Sequence, residues 1–226
     1  MDTLVNSVNG SFTDLKAQTP ENILVSHPIY KHYDELHYVH GLHNSLSASL
    51  DQSIWPELTG VTLVGDEKIT FRSRGIFVVD DAFLSECNDF SDLGDAHNSS
   101  YTFFHLGSKL SGHSSIVHGG LLATLLDELT CILAFQNFPS KKGVTANLNI
   151  NYFKPCMINS YVMVKCTSIK KSGRKCWVKG QIYKLDLDAD IEGSVPEFVE
   201  RKENLLSECE CLVIEPRWVH ELSNKK

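Results

Sequence analysis

A His-Gly-Gly step that leads into a helical pattern of apolar residues, within residues 113–135, most constrains how this chain can fold. After His118, one face of the expected helix is apolar, and the opposite face carries small residues and one carboxylate, Asp127. The apolar positions are Leu121, Leu122, Leu125, Leu126, Leu129, Ile132 and Leu133. We therefore expect a helix over residues 119–137. Its first N–H groups, after Gly119, are suited to bind an anion or a developing oxyanion.

Most of the remaining chain has the pattern of β-strands. Segments rich in β-branched and aromatic residues lie at 72–79, 101–110, 144–153, 160–170, 175–185 and 205–214. Ser172-Gly173 separates two of them as a hairpin turn. A sheet of neighbouring antiparallel strands must bury one face, and one apolar helix is available to cover it. The sequence therefore predicts an α+β fold in which the sheet wraps around that helix.

Composition divides the chain into three parts. Residues 1–60 are interpreted as an N-terminal extension, partly helical within 22–41, and residues 61–226 as the main domain. An acidic insert at 186–204, which contains Gly193 and Pro196, is expected to be an exposed loop. No run approaches the ~18 uninterrupted apolar residues of a membrane span, so we expect no transmembrane segment.

The seven cysteines contain no CxxC pair. Their odd number and their spacing indicate neither a disulfide framework nor a zinc site. We therefore expect reduced thiols in an intracellular protein, and no metal or cofactor.

The net charge of −7 conceals an uneven distribution. No acidic residue lies between Glu128 and Asp186, whereas ten of the 21 basic residues do. Such a block attracts an anionic partner. Because its lysines are dispersed over alternating strands, a phosphate-bearing small molecule fits better than nucleic acid. Solvated strand edges protected by lysine are the alternative interpretation.

The strand expected after the helix alternates apolar residues with Thr145, Asn147, Asn149 and Asn151. Asparagine is disfavoured in strands on propensity alone. We therefore expect some members of this polar face to contact a ligand or a second chain.

Three motifs carry a family resemblance. The stretches HGGLLATLLDE, VTANLNINYFKP and SGRKCWVKGQIY resemble the hotdog-fold, PaaI-like acyl-CoA thioesterases. Among these, the chain is most similar to the mitochondrial long-chain enzymes and their fungal relatives, closely over residues 100–185 and loosely over the outer strands. The resemblance implies a hotdog fold, hydrolysis of fatty acyl-CoA, and a mitochondrial location, with the cytoplasm as the alternative. Coenzyme A would be part of the substrate.

The resemblance also implies roles for individual residues. Gly119 would polarise the thioester carbonyl through its backbone N–H, and His118 would shape that turn. Asp127 would act as general base or nucleophile, and Thr145 would position the water or the carboxylate. Some smaller relatives have an amide side chain where this chain has Gly112, so one possible donor to the carbonyl is missing here. The residues expected to contact acyl-CoA are Gly120, Asn151, Phe153, Lys154, Arg174 and Lys175.

The spacing of Gly119 and Asp127 adds a constraint. Eight residues of helix span about 12 Å at ~1.5 Å per residue. One carbonyl cannot reach both groups of the same chain, whereas two antiparallel helices would bring Gly119 of one chain near Asp127 of the other. We therefore expect a homodimer, or a dimer of dimers, with two composite sites. The neighbouring Glu128 is a rival carboxylate, but it points towards the apolar face.

Two other functions remain open. A hotdog hydratase or dehydratase also needs an acid–base pair at a helix N-terminus. A non-catalytic acyl-CoA-binding or scaffold protein would use residues 1–60 for interaction. Nucleic-acid binding ranks last, and a steep dependence of DNA or RNA affinity on salt would be needed to support it.

Overall fold

The computed structural model describes residues 19–39, 56–79, 89–91 and 98–219. Its first two helices are α1 (Pro20–Ser26) and α2 (Pro28–Val39). The long helix α3 (Gly119–Gln136) confirms the predicted helix, and a short helix α4 (Val195–Val199) follows much later. A π-helical turn at Leu58–Thr62 and a 3₁₀ turn at Ser108–Leu110 complete the described helical segments.

The ten described strands are antiparallel to their partners. They are β1 (Ile69–Arg72), β2 (Ile76–Val79), β3 (Phe90–Ser91), β4 (Asn98–Leu106), β5 (Ser111–His113), β6 (Ile116–Val117), β7 (Val144–Tyr152), β8 (Ser160–Ser172), β9 (Lys175–Leu185) and β10 (Leu205–Ile214). The main sheet runs in the order β1-β4-β8-β9-β10-β7, with β2 also paired to β4 and β3 to β8. Strands β5 and β6 form a separate ribbon before α3.

The inner face of the sheet packs around α3, which is the hotdog arrangement expected from the sequence. Leu125, Leu126 and Leu133 of the helix are fully buried in this core. Gly180 in β9 lets the helix approach closely, because a Cβ there would lie 2.9 Å from side-chain atoms of Leu126 and Thr130. By length and composition alone α3 could cross a membrane, yet in this fold it is the core helix.

The outer face of the sheet is also covered, over the half that contains β2, β4, β8 and β9. Leu24, Ile29 and Tyr33 of the first two helices are buried there against the sheet. Strand β4 is accordingly buried at every position, on both faces. The part of the predicted extension that is described is therefore helical and packs on the sheet, whereas residues 1–18 and 40–55 lie outside the described residues.

The acidic insert is not entirely a loop, in contrast to the prediction. Ser194 caps α4 in a capping box with Glu197, and the helix buries Phe198 and Val199 in the same outer core. Periodicity missed this helix because it has only one turn and a half. Its apolar residues are too few to produce a repeating pattern.

Two strand predictions were wrong in detail. The segment predicted at 72–79 is interrupted after Arg72. The Phe103 N–H donates to the side-chain oxygen of Ser73 at 2.9 Å, whereas the Ser73 N–H still donates to the Phe103 carbonyl at 2.9 Å. The segment predicted at 101–110 ends at Leu106, where the chain turns into the 3₁₀ segment. The predicted hairpin turn is confirmed, with Gly173 at φ +53°.

A buried charge network joins the outer helices to the sheet. Lys165 of β8, with a side chain only 5% exposed, donates to Glu200 just after α4 at 2.7 Å. The Tyr33 hydroxyl of α2 donates to the other oxygen of Glu200 at 3.2 Å. Three separate elements therefore meet at one carboxylate.

Candidate active site

The His-Gly-Gly turn begins α3 and leaves one backbone N–H group without an acceptor among the described residues. His118 is the N-cap, and its Nδ1 accepts a hydrogen bond from the Gly120 N–H at 2.9 Å. Its carbonyl accepts from the N–H groups of Leu121 and Leu122. The Gly119 N–H has no acceptor among the described residues. Of the N–H groups expected to bind an anion, Gly119 is thus the one left available, and Gly120 is committed to the cap.

Neighbouring residues enforce the shape of this turn. A Cβ at Gly112 would lie 2.6 Å from Cδ2 of His118, so glycine is required for the histidine to sit where it does. The Tyr152 hydroxyl, at the end of β7, donates to the Gly119 carbonyl at 2.9 Å. Tyr152 was not among the predicted site residues. Nothing in the alternation of β7 signals a contact that depends on the angle between strand and helix.

Asp127 lies two turns into α3 and is held by one side chain of β7. The Thr145 hydroxyl donates to Oδ1 of Asp127 at 2.6 Å. The thiol of Cys131, one turn further along the helix, lies 3.0 Å from the Thr145 oxygen. The carboxylate is partly exposed and keeps capacity for further donors such as water.

A β-bulge turns Thr145 towards the helix. The pairing of β7 with β10 shifts between Leu212 and Val213, so that Leu212 pairs with Asn147 and Val213 with Thr145. Val213 and Cys211 of β10 are both fully buried on the helix side, and Thr145 and Leu148 are their partners. The prediction that Thr145 shares the polar face of Asn147, Asn149 and Asn151 was therefore wrong, because the bulge reverses the alternation at this point.

The rival carboxylate, Glu128, is engaged elsewhere. It accepts a hydrogen bond from the Thr59 hydroxyl and lies 3.9 Å from the guanidinium of Arg72. Burial raises the pKa of the Glu128 carboxyl, against the opposing effects of the Thr59 hydrogen bond and the Arg72 charge. Glu128 ties the segment around Thr59 to the core helix and does not contact Thr145.

The remaining predicted contact residues form two groups, one near each end of β7. Asn151, Phe153 and Lys154 lie near the end of β7 that contacts Gly119, all exposed. The Lys154 ammonium donates to the Glu203 carbonyl, and the Phe153 and Lys154 N–H groups both donate to the Leu206 carbonyl.

Arg174 and Lys175 lie at the opposite end of the sheet. Lys175 pairs with Ile214, which pairs with Val144, next to Thr145. Two strand spacings of ~4.8 Å separate Lys175 from Val144. Arg174 donates to the Glu215 carbonyl at 2.9 Å, and both basic residues are exposed. Within one chain, the predicted contact residues therefore form one group near Gly119 and a second group near the end of β7 that contacts Asp127.

Comparison with known proteins finds similarity in the central part of the chain. Residues 114–189 match the model of the thioesterase superfamily. An uncharacterised mitochondrial protein of Candida albicans is 31% identical over 135 residues, which are 60% of this chain and 56% of that protein. Mouse acyl-coenzyme A thioesterase THEM4 is 38% identical over 85 residues, 38% of this chain and 36% of that enzyme.

Coverage of the relatives is partial. The chain spans about half the length of the first curated relatives it matches. Among solved structures, a Streptococcus mutans protein bound to acetyl-CoA is 12% identical, with a TM-score of 0.41, over 55% of this chain and 82% of that one.

Proposed function

We propose that the protein hydrolyses fatty acyl-CoA to a free fatty acid and coenzyme A, starting from the match of residues 114–189 to the model of the thioesterase superfamily. The observation that carries the proposal is the 2.6 Å hydrogen bond from Thr145 to Asp127 within the matched segment. It holds a carboxylate, partly exposed to solvent, next to the apolar core. The mouse relative, named as an acyl-coenzyme A thioesterase, supports the choice of substrate.

The proposed chemistry needs few groups. The Gly119 N–H polarises the thioester carbonyl and stabilises the oxyanion that forms when water attacks. Asp127 takes a proton from that water, and Thr145 holds the carboxylate in the required orientation. The tetrahedral intermediate then expels the coenzyme A thiolate, a good leaving group that needs no strong acid. The exposed basic residues Arg174 and Lys175 are proposed to bind phosphates of coenzyme A.

We propose that each site is shared between two chains. Gly119 and Asp127 of one helix are about 12 Å apart at ~1.5 Å per residue, too far for both to act on one carbonyl. Strand β7 is the last strand of the sheet, and its outer edge faces no other described strand. A second copy aligned along that edge, with its α3 antiparallel to the first, would bring Gly119 of one chain to Asp127 of the other. A dimer of dimers is compatible with this unit.

We also propose a mitochondrial location, supported by the Candida albicans relative that is named as mitochondrial. Its matched region covers 56% of that protein. Imaging of the tagged full-length protein against a mitochondrial marker tests this assignment.

Acyl-CoA turnover tests the activity directly. We expect the wild-type protein to release free coenzyme A from saturated acyl-CoA thioesters in a series from acetyl to stearoyl. Each incubation is followed by thiol release and by chromatography of the acyl products. Consumption of an enoyl-CoA without thiol release would indicate a hydratase instead. Tight binding of acyl-CoA without turnover would indicate a binding protein.

Mixed dimers test whether the site is shared. Chains carrying Asp127→Asn and chains carrying His118→Ala are co-expressed with different tags, and the dimer that contains both is purified. If the site is composite, one of its two sites has both wild-type residues, and activity per dimer should be about half that of wild type. Both homodimers serve as controls and should be nearly inactive. An inactive mixed dimer would show that Gly119 and Asp127 act within one chain.

A further inference from the structure

Two cysteines that lie far apart in sequence meet at Asp127. Cys131 follows Asp127 by one helical turn on α3, and Cys211 lies opposite on β10 with its side chain facing the helix. One ligand atom from each of Asp127, Cys131 and Cys211 lies within 4.8 Å of the other two. Spacing along the chain gave no sign of this cluster, because its members belong to a helix and to a strand about eighty residues later.

The ligand types in the cluster suit a metal ion. Two buried free thiols and one carboxylate converge on one point. A cation would displace both thiol protons to solvent and bind the sulfurs as thiolates, with the Asp127 carboxylate as a third anionic ligand.

The distances between the ligand atoms and the softness of the sulfur ligands determine which metal ion fits the cluster. Tetrahedral zinc, with Zn–S near 2.3 Å and Zn–O near 2.0 Å, places its ligand atoms roughly 3.5–3.8 Å apart. Since the three atoms lie within 4.8 Å of one another, they need to contract by at most about 1.3 Å to reach that geometry. Two thiolates disfavour magnesium and calcium and favour zinc and other borderline or soft ions. Three protein ligands leave a fourth position for water on the partly exposed side of Asp127.

We propose that Asp127, Cys131 and Cys211 form an inhibitory zinc site. The inhibition rests on the proposed hydrolysis, because the ion occupies the carboxylate that activates water. Zinc also withdraws Asp127 from the Thr145 hydroxyl. Binding and release of the ion would therefore switch the site reversibly between inactive and active forms.

Cobalt substitution tests the site without any assay of activity. The reduced, metal-free protein is titrated with Co²⁺, and a thiolate-to-cobalt charge-transfer band together with tetrahedral visible bands should saturate at one ion per chain. Zinc affinity is then measured by competition with a chromophoric chelator. Cys131→Ser and Cys211→Ser should each weaken zinc binding by at least about 100-fold. Cys156→Ser, which removes a buried thiol outside the cluster, should leave it unchanged.

Two results would overturn the proposal. One is the absence of a charge-transfer band in the wild-type protein. The other is zinc affinity that stays unchanged in folded Cys131→Ser and Cys211→Ser variants. Circular dichroism and thermal unfolding establish that each variant is folded. Since the cobalt spectrum requires no turnover, it tests the metal site even if the protein proves not to be a hydrolase.

A second arm tests inhibition. One equivalent of zinc should lower acyl-CoA hydrolysis at least about tenfold, and a chelator should restore it. Remaining acyl-CoA is measured by chromatography, because zinc also binds free thiols. Cys211→Ser should lose sensitivity to zinc, so that its rate with one equivalent of zinc equals its own rate without zinc. Equal inhibition of wild type and Cys211→Ser would show that zinc acts at another place.

Discussion

Replacement of Asp127 by asparagine should lower acyl-CoA hydrolysis by at least about 100-fold while leaving the fold intact. Asparagine keeps the size of the side chain and can still accept the 2.6 Å hydrogen bond from Thr145. It cannot take a proton from water, so the loss should appear in kcat rather than in KM. Steady-state rates of thiol release with the preferred acyl-CoA provide the measurement.

The adjacent position supplies a matched control. Glu128→Gln changes a carboxylate to an amide one residue away, at a side chain that contacts Thr59 and Arg72 rather than Thr145. Its kcat should stay within about threefold of wild type. Thr145→Val should fall between the two variants, near a tenfold loss, because it removes one hydrogen bond to a charged group. If Glu128→Gln were the inactive variant instead, Glu128 would have to be the base.

Removal of the Glu200 carboxylate should have the largest effect on stability. Glu200→Ala removes the carboxylate that accepts from the buried ammonium of Lys165 and from the Tyr33 hydroxyl. Loss of one partner from a buried ion pair is costly, and the 21% exposure of Glu200 allows some relaxation. We expect the free energy of unfolding to fall by about 2–3 kcal/mol. Urea denaturation followed by circular dichroism measures it.

Three variants separate the origin of that loss. Tyr33→Phe should cost only about 1 kcal/mol, since it removes a single hydrogen bond. Glu203→Ala, at an exposed position nearby, should cost less than about 0.5 kcal/mol. The double variant Lys165→Met with Glu200→Leu should recover most of the stability lost in Glu200→Ala, because it replaces both charges of the pair with apolar side chains. Equal destabilisation by Glu200→Ala and Glu203→Ala would contradict the network.

Periodicity sufficed for the central helix and for most strands, because a helix fully enclosed by a sheet carries a long apolar stripe. The π-helical turn, α4 and the break after Arg72 escaped prediction. Each is too short to repeat a pattern, and the break depends on a hydrogen bond between Ser73 and Phe103 of another strand. Coverage of the outer face was also missed, since β4 is apolar or small on both faces and its alternation gives no direction.

The candidate site shows a similar division. Asp127 and Gly119 could be chosen from sequence because both belong to one helix, whose geometry is regular. The inward turn of Thr145 depends on a bulge that no local pattern reveals, and the contact of Cys131 with Cys211 depends on the pairing of a helix with a distant strand. Contacts between elements require the three-dimensional arrangement of the chain.

The outer helices also determine how far the chain can be shortened without exposing apolar surface. The segment that matches the model of the thioesterase superfamily, residues 114–189, contains α3 and β7 to β9. Apolar side chains on its own strands, such as Met163 and Tyr183, are covered by Leu24, Ile29 and Phe198 from outside it. A fragment trimmed to the shared segment would expose that apolar surface to water and to other chains. The segment that matches the family model is therefore smaller than the packed structure, and the flanking helices keep its outer apolar face from water.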